Sequence, residues 1–335
     1  MEMTNVRQPP RLAFMGSDPI AIPLLDWFAG GGAECARLVG VVTGPDRPAG
    51  RGQEVRPNAV KAWAAGRPLA VMQPGRPDEA ALGALAALRP DIVLVAAYGH
   101  ILRDAFIALP RLGTLNLHAS LLPRYRGASP VQAAVASGDA VTGMTLMRIV
   151  RELDAGPVAG EERVPIGPLD TAAEVESRLA AAAVTLLARS LPLLERGQLS
   201  FAVQDHASAS FCRRLTREDG VLDFCAPARA LAARINGLSP WPGVACDVAG
   251  VQVKFGLADA LDGGPAGPPG SVLGADALGL LVATGLGVLR VRRLQRPGGR
   301  MLDAPEFLRG FPVAPATPLP SRPMPALVAA KPFGR

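Results

Sequence analysis

The chain has 335 residues with 35 Lys and Arg against 29 Asp and Glu, a formal net charge of +6; at roughly 100 to 200 residues per domain it should hold about two domains. Its apolar runs fall short of the roughly 18 to 20 residues that span a bilayer, and the first ten residues lack a signal-peptide pattern, so a soluble cytoplasmic protein without an obligate protein partner is expected. Cys35, Cys212, Cys225 and Cys246 show neither Cys-x-x-Cys spacing nor a nearby His pair, which excludes a zinc site or disulfide framework and predicts reduced thiols.

Residues 11–16 read as a first strand ending at a glycine turn, followed by a helix over 20–29. Residues 38–43 and 91–98 are continuous apolar runs of strand length separated by Ala-rich helical sequence, the signature of strands buried on both faces. A parallel α/β sheet of Rossmann-like kind is predicted. The first turn offers Gly16 alone, not Gly-x-Gly-x-x-Gly, and no Gly-x-x-x-x-Gly-Lys-Ser/Thr occurs, so neither a dinucleotide nor ATP is indicated. Between the first strands lies Pro45-Asp-Arg-Pro-Ala-Gly-Arg-Gly52, whose prolines and glycines forbid regular helix and leave Arg47, Arg51 and nearby Arg56 in an exposed cationic loop.

Along residues 113–123, Asn116, His118 and Ser120 alternate, so on a strand their side chains emerge on one face. A second apolar run over 143–150 leads to Asp154. A carboxamide, an imidazole and a carboxylate fit acyl transfer to an amine: His118 would accept the proton, Asn116 would donate to the oxyanion of a tetrahedral species, and Asp154 would support the imidazolium or order a proton-relaying water.

A helix is predicted over 170–196, opened by a capping box of Thr171 and Glu174, and 201–214 read as a linker. Beyond it come short, turn-rich apolar runs at 221–224, 244–248, 251–257, 270–273, 279–283 and 288–294, with a helix at 227–235; this pattern predicts a small β-barrel. The expected division is a catalytic domain over 1–200, a linker over 201–214, a C-terminal domain over 215–312 and a Pro-rich, disordered tail over 313–335. Residues 1–200 carry 20 basic against 19 acidic side chains and residues 201–335 carry 15 against 10. Either a polyanionic partner is gripped by the C-terminal part, or the Arg content reflects a GC-rich coding sequence. The densest basic run is Arg290, Arg292, Arg293, Arg296 and Arg300, which reads either as phosphate contacts or as a solvated face.

The Asn-x-His strand, Ser120-Leu121-Leu122-Pro123 and Asp154-x-Gly156 together resemble the 10-formyltetrahydrofolate-dependent formyltransferase family, over residues 11–312 or so. The Pro-Ala-Gly-Arg-Gly loop and Ser239-Pro-Trp-Pro-Gly243 are similar to the branch of it that acts on methionyl initiator tRNA. That resemblance implies an oligonucleotide-binding-like (OB-like) barrel as second domain, 10-formyltetrahydrofolate as co-substrate with no metal and no nucleotide cofactor, and Asn116, His118 and Asp154 as catalytic residues. It implies folate contacts from Ser120, Leu121, Leu122 and Pro123. Tyr98, Gly99 and His100 follow a strand end where α/β sheets place ligands; His100 reads equally as pocket wall or loop. Phe14 and Gly16 would adjoin the methionine side chain, although Phe14 also reads as core. Arg47, Arg51, Arg56, Arg290, Arg292, Arg293 and Arg296 would face tRNA. Gln53-Glu54 departs from the family's two lysines and weakens the loop's charge. Glycinamide ribonucleotide, an amino-sugar nucleotide and water are rival acceptors.

Overall fold

The computed structural model describes residues 8–49, 52–264 and 267–334. In chain order the first half gives β1 (Arg11–Met15), α1 (Ile22–Ala29), β2 (Arg37–Val42), β3 (Arg47–Ala49), β4 (Glu54–Arg56), α2 (Ala59–Ala64), β5 (Ala70–Met72), α3 (Glu79–Ala87) and β6 (Ile92–Val95). Then follow α4 (Asp104–Ala108), β7 (Thr114–His118), β8 (Arg126–Gly127), α5 (Pro130–Ala136), β9 (Val141–Arg148), β10 (Val158–Pro165) and α6 (Ala172–Glu195). The remainder gives β11 (Phe211–Cys212), α7 (Ala228–Gly237), β12 (Val244–Val248), β13 (Val251–Leu261), β14 (Val272–Ala275), β15 (Leu280–Ala283), β16 (Val288–Gln295), β17 (Leu302–Asp303), α8 (Ala304–Gly310) and β18 (Val328–Ala329).

Two compact units form: residues up to 126 with 143–164 and 177–209, and residues 127–142 with 165–176 and 210 onward. The expected cut after residue 200 therefore falls at 209, and two earlier segments cluster with the second unit. Packing supplies the reason. Helix α5 lies against α7 so closely that a Cβ on Gly237 would meet the Ala136 backbone, while Ala202 bridges Val158 and keeps the supposed linker on the first unit.

The first unit is built on a sheet of order β10-β9-β7-β6-β1-β2-β5. β1 runs parallel to β2 and β6, β2 to β5, and β6 to β7, while β9 is antiparallel to β7. Leu12 to Met15 and Ile92 to Val95 are buried along their whole length, as expected where both sheet faces are covered. The chain moves outward from β1 through β2 to β5, then returns to β6 on β1's other side. At such a reversal, the crevice beyond the strands' carboxyl ends is where ligands bind. Gly16, Ala96 to His100 and His118 to Pro123 all follow those ends.

Helix α6 opens with the expected capping box: Glu174 Oε2 accepts from Thr171 N at 2.7 Å and Thr171 Oγ1 accepts from Glu174 N at 3.4 Å. Val175, Leu179, Ala182, Ala183, Leu186, Leu187, Leu191 and Leu194 form its buried stripe at helical spacing. By length and hydropathy this 24-residue helix is also long and apolar enough to cross a membrane, contrary to expectation, but half of the qualifying stretch is buried in the protein core.

The second unit carries a curled antiparallel half-barrel of order β12-β13-β16-β15-β14, with β17 beside β16. Helix α7 packs on β13, and Leu231, Ile235, Phe255, Val282, Leu289 and Val291 share one core. Residues 221–224 form no strand, because their backbone partners come from the tail: Ser321 Oγ accepts from Phe224 N at 2.9 Å and Leu222 O accepts from Arg322 N at 2.8 Å. Disorder of the Pro-rich tail is thereby corrected for residues 313–334. Thr317 O and Ala316 N bond Val272, Leu319 N bonds Gly270 O at 2.7 Å, Leu319 and Leu327 are buried, and β18 pairs with β11. The four cysteines are free thiols; burial pushes the Cys246 thiol up to about 12.

Candidate active site

β7 ends at the sheet's carboxyl edge between β6 and β9, with Asn116 opposite Met147 and His118 opposite Thr145. Its outer residues are buried, yet Asn116 stays half-buried and its carboxamide makes no hydrogen bond among the described residues. His118 is 6% exposed; its Nε2 lies 2.8 Å from Tyr125 O and its Nδ1 3.7 Å from Asp154 Oδ2. A carbonyl oxygen only accepts, so Nε2 carries the hydrogen and the neutral ring keeps its lone pair on Nδ1. The basic nitrogen thus faces the carboxylate. The structure brings together His118 and Asp154, which lie 36 positions apart in the sequence.

Three neighbours carried no recognised signal in the sequence: Tyr125, Arg126 and Gln204. Tyr125 acts through its backbone carbonyl, which any residue could supply. Arg126 is 4% exposed and donates through Nε and Nη2 to Gln204 Oε1 at 3.2 and 2.6 Å. Gln204 Nε2 donates in turn to Asp154 O at 2.9 Å and Gly156 O at 2.7 Å. Burial pulls the Arg126 guanidinium below its ordinary range, opposed by the charge of Asp154. Residue type gives no clue to Gln204, because its burial within an otherwise exposed stretch is not visible in sequence.

The Ser120 to Pro123 turn is pinned beside this pair. Ser120 Oγ donates to Arg124 O at 2.6 Å, Thr145 Oγ1 donates to Ser120 O at 2.6 Å, and Leu122 N donates to the same hydroxyl at 3.3 Å. Leu121, Leu122 and Pro123 remain half-buried. Gly143 on β9 leaves room for Leu121, whose Cγ would lie 3.1 Å from an added Cβ. Tyr98 is 6% exposed, packed with Val95, Leu102 and Phe106, and its buried hydroxyl lacks a partner among the described residues. His100 sits half-buried with its ring 5.1 Å from that of Tyr98, and Gly99 takes a φ of +77°. Phe14 is fully buried, as its reading as a core residue expects; Gly16 leaves space for its ring and for Ala96 O.

Residues 11–191 match a family described as "Formyl transferase", and 214–312 match "Formyl transferase, C-terminal domain". The chain belongs to the formyl transferase family. A protein of Aromatoleum aromaticum called methionyl-tRNA formyltransferase is 40% identical over 91% of this chain and 96% of its own. Among solved structures, the sugar 3N-formyl transferase WlaRD, solved with dTDP and 5-N-formyl-THF, is 14% identical with a TM-score of 0.62, covering 88% of this chain and 100% of that one. HypX from Aquifex aeolicus, solved with tetrahydrofolic acid, is 16% identical with a TM-score of 0.59 over 90% of this chain; the likeness spans 47% of HypX, about half its length. At these identities both show the fold alone.

In this formyl transferase the cationic loop forms a hairpin, β3 against β4, with Arg47 opposite Arg56. Its base is anchored by side chains: Ser17 Oγ accepts from Gly44 N at 2.9 Å, Asn58 Oδ1 accepts from Thr43 Oγ1 at 2.8 Å, and Asp46 holds Lys61 at 2.6 Å and Gln73 at 2.7 Å. Arg47 is exposed, Arg56 is paired with Glu54 at 2.7 Å, and Arg51 lies outside the described residues. In the formyl transferase's second unit, Arg290 is 14% exposed and held by Asp259 at 2.6 Å and Asp276 at 3.0 Å. Its hydrogen bonds to Asp259, then to Asp276, fix it in the charged form. That makes it a structural arginine and corrects the expected phosphate contact. Arg292 is 21% exposed and 3.9 Å from Asp259. Arg293 is half-exposed and loosely paired with Asp303 at 3.4 Å, while Arg296 is exposed and has no ion-pair partner among the described residues. No cluster of metal-ligating side chains occurs among the described residues.

Proposed function

We propose that this formyl transferase moves the formyl group of 10-formyltetrahydrofolate to the free amino group of methionyl initiator tRNA in the cytoplasm. The chemistry rests on one observation: His118 is locked through Nε2 on Tyr125 O and turns Nδ1 toward Asp154, 3.7 Å away. An attacking amine must shed a proton, which His118 takes at Nδ1 and returns to the folate nitrogen as the formyl C–N bond breaks and tetrahydrofolate leaves. The resulting imidazolium faces a carboxylate; opposite unit charges about 4 Å apart attract by roughly 4 kcal/mol at an effective dielectric of about 20, against about 1 kcal/mol in water. Asn116, on the same strand face, offers its unengaged N–H groups to the oxygen that gains negative charge.

The donor supplies a formyl group already activated on nitrogen, and the residues present fit it. Half-buried Leu121, Leu122 and Pro123 provide apolar surface for a flat heterocycle, and the orphaned hydroxyl of Tyr98 offers a polar group for its edge. The acceptor rests on the relatives called methionyl-tRNA formyltransferase, 40% identical over nearly the whole chain. Exposed Arg47, Arg293 and Arg296, with Arg51, are the candidate tRNA contacts. A second reading is transfer to an amino-sugar nucleotide, because WlaRD, which shares the fold, is a sugar 3N-formyl transferase. Labelled 10-formyltetrahydrofolate offered with charged initiator tRNA, charged elongator tRNA, glycinamide ribonucleotide and an amino-sugar nucleotide decides between them. Label is expected on charged initiator tRNA, and transfer confined to another acceptor overturns the proposal.

A further inference from the structure

Asp154 sits in a turn with φ of +49°, a left-handed conformation that Asp tolerates better than most residues but that still has to be held by its surroundings. Two residues on, Gly156 lies so close to β9 that a Cβ would meet the Arg148 carbonyl. The carboxylate's position opposite His118 therefore depends on what fixes this turn. Gln204 does so from 50 residues away.

Its amide is used from both ends, and the assignment of oxygen and nitrogen follows from the partners. The Arg126 guanidinium only donates, so it takes Oε1; the Asp154 and Gly156 carbonyls only accept, so they take Nε2. Reversing the amide would oppose donor to donor and acceptor to acceptor. Gln204 is 7% exposed and Arg126 4%, so water is poorly placed to substitute.

We infer that Gln204, backed by Arg126, is a positioning residue for formyl transfer, holding the Asp154 turn so that its carboxylate faces His118 Nδ1. This rests on the proposed role of Asp154. Groups that hold a catalytic side chain in place typically matter by about 10- to 100-fold, and displacement of a reacting group by about 1 Å costs about 100-fold.

Gln204→Glu separates the two ends of the amide. A carboxylate satisfies Arg126 and preserves the buried cation's partner, but it has no hydrogen for the two carbonyls. The readouts are kcat and KM for each substrate in wild type, Gln204→Glu, Asp154→Asn and the double variant. Gln204→Glu is expected to lower kcat about 10- to 100-fold with little change in either KM. If Gln204 acts through Asp154, adding Gln204→Glu to Asp154→Asn costs little more; a residue that merely stabilises the fold would instead multiply the losses.

Wild-type kcat in Gln204→Glu, beside a defective Asp154→Asn, overturns the inference and leaves the proposed function standing. Wild-type behaviour of Asp154→Asn overturns both. Should Gln204→Glu fail to fold, Arg126→Lys tests the same clamp: it keeps the charge but removes the paired donation to Oε1, and the same kcat loss with little change in either KM is expected. A wild-type kcat there is the overturning result.

Discussion

β7 and β16 share a pattern in sequence, polar side chains two residues apart with an apolar one between them, and the structure gives them opposite meanings. On β7, Asn116 keeps an unengaged carboxamide and His118 has one ring nitrogen satisfied and the other turned toward Asp154. On β16, Arg290 is opposed across the strands by Asp259 and capped by Asp276, so its donors are consumed internally. Polar residues on a strand signal function only where their hydrogen-bonding capacity is left incomplete. What completes it lies on a neighbouring strand.

The largest test of that contrast is removal of the incomplete groups. His118→Ala should lower turnover about 100- to 10,000-fold, the range for losing a general base, with tRNA affinity nearly unchanged. Asn116→Ala should cost about 100- to 1,000-fold through loss of an oxyanion donor. Single-turnover formylation of charged tRNA measures both, and near wild-type rates would remove β7 from the chemistry.

Arg290→Met should behave in the opposite way: formylation persists under folding conditions while stability falls. Breaking a fully buried pair costs roughly 3 to 5 kcal/mol, and here about 2 kcal/mol is expected, because Asp276 is a third exposed and Arg292 remains near Asp259. A drop in the urea midpoint without a change in the salt dependence of tRNA binding fits the structural role. An unchanged midpoint with weaker tRNA binding would restore Arg290 as a phosphate contact.

These differences mark how far the sequence could be read. The parallel sheet was legible because its strands are apolar on both faces, and β12, β13, β15 and β16 because short apolar runs are separated by turn residues. Asn116, His118 and Asp154 were legible as residue types with an obvious chemistry. The Arg290–Asp259 pair was not, since it depends on a register shifted by irregularities near Leu257. Gln204 was hidden for another reason: it binds backbone carbonyls, whose direction is set by the φ of Asp154 and leaves no trace in residue type. The tail misled because its composition resembles a disordered segment, whereas its backbone completes the hydrogen bonding of Gly270, Val272 and Leu222.

The smallest expected effect is also the one that separates the two kinds of arginine on and beyond β16. Arg293 is 48% exposed and its partner Asp303 78%, at 3.4 Å; an exposed pair of this kind is worth at most about 1 kcal/mol, so a phosphate can displace the carboxylate. Arg296 has no ion pair to break among the described residues. Arg293→Gln with Arg296→Gln should therefore weaken tRNA binding modestly and reduce the slope of log affinity against log salt by about 1 for each phosphate that is no longer neutralised, up to about 2 for the pair. Arg290→Met, which removes one formal charge but no available donor, should leave that slope in place. Equal slopes for wild type and the double variant would show that this edge does not touch the RNA, leaving the β3–β4 hairpin as the cationic surface to test next.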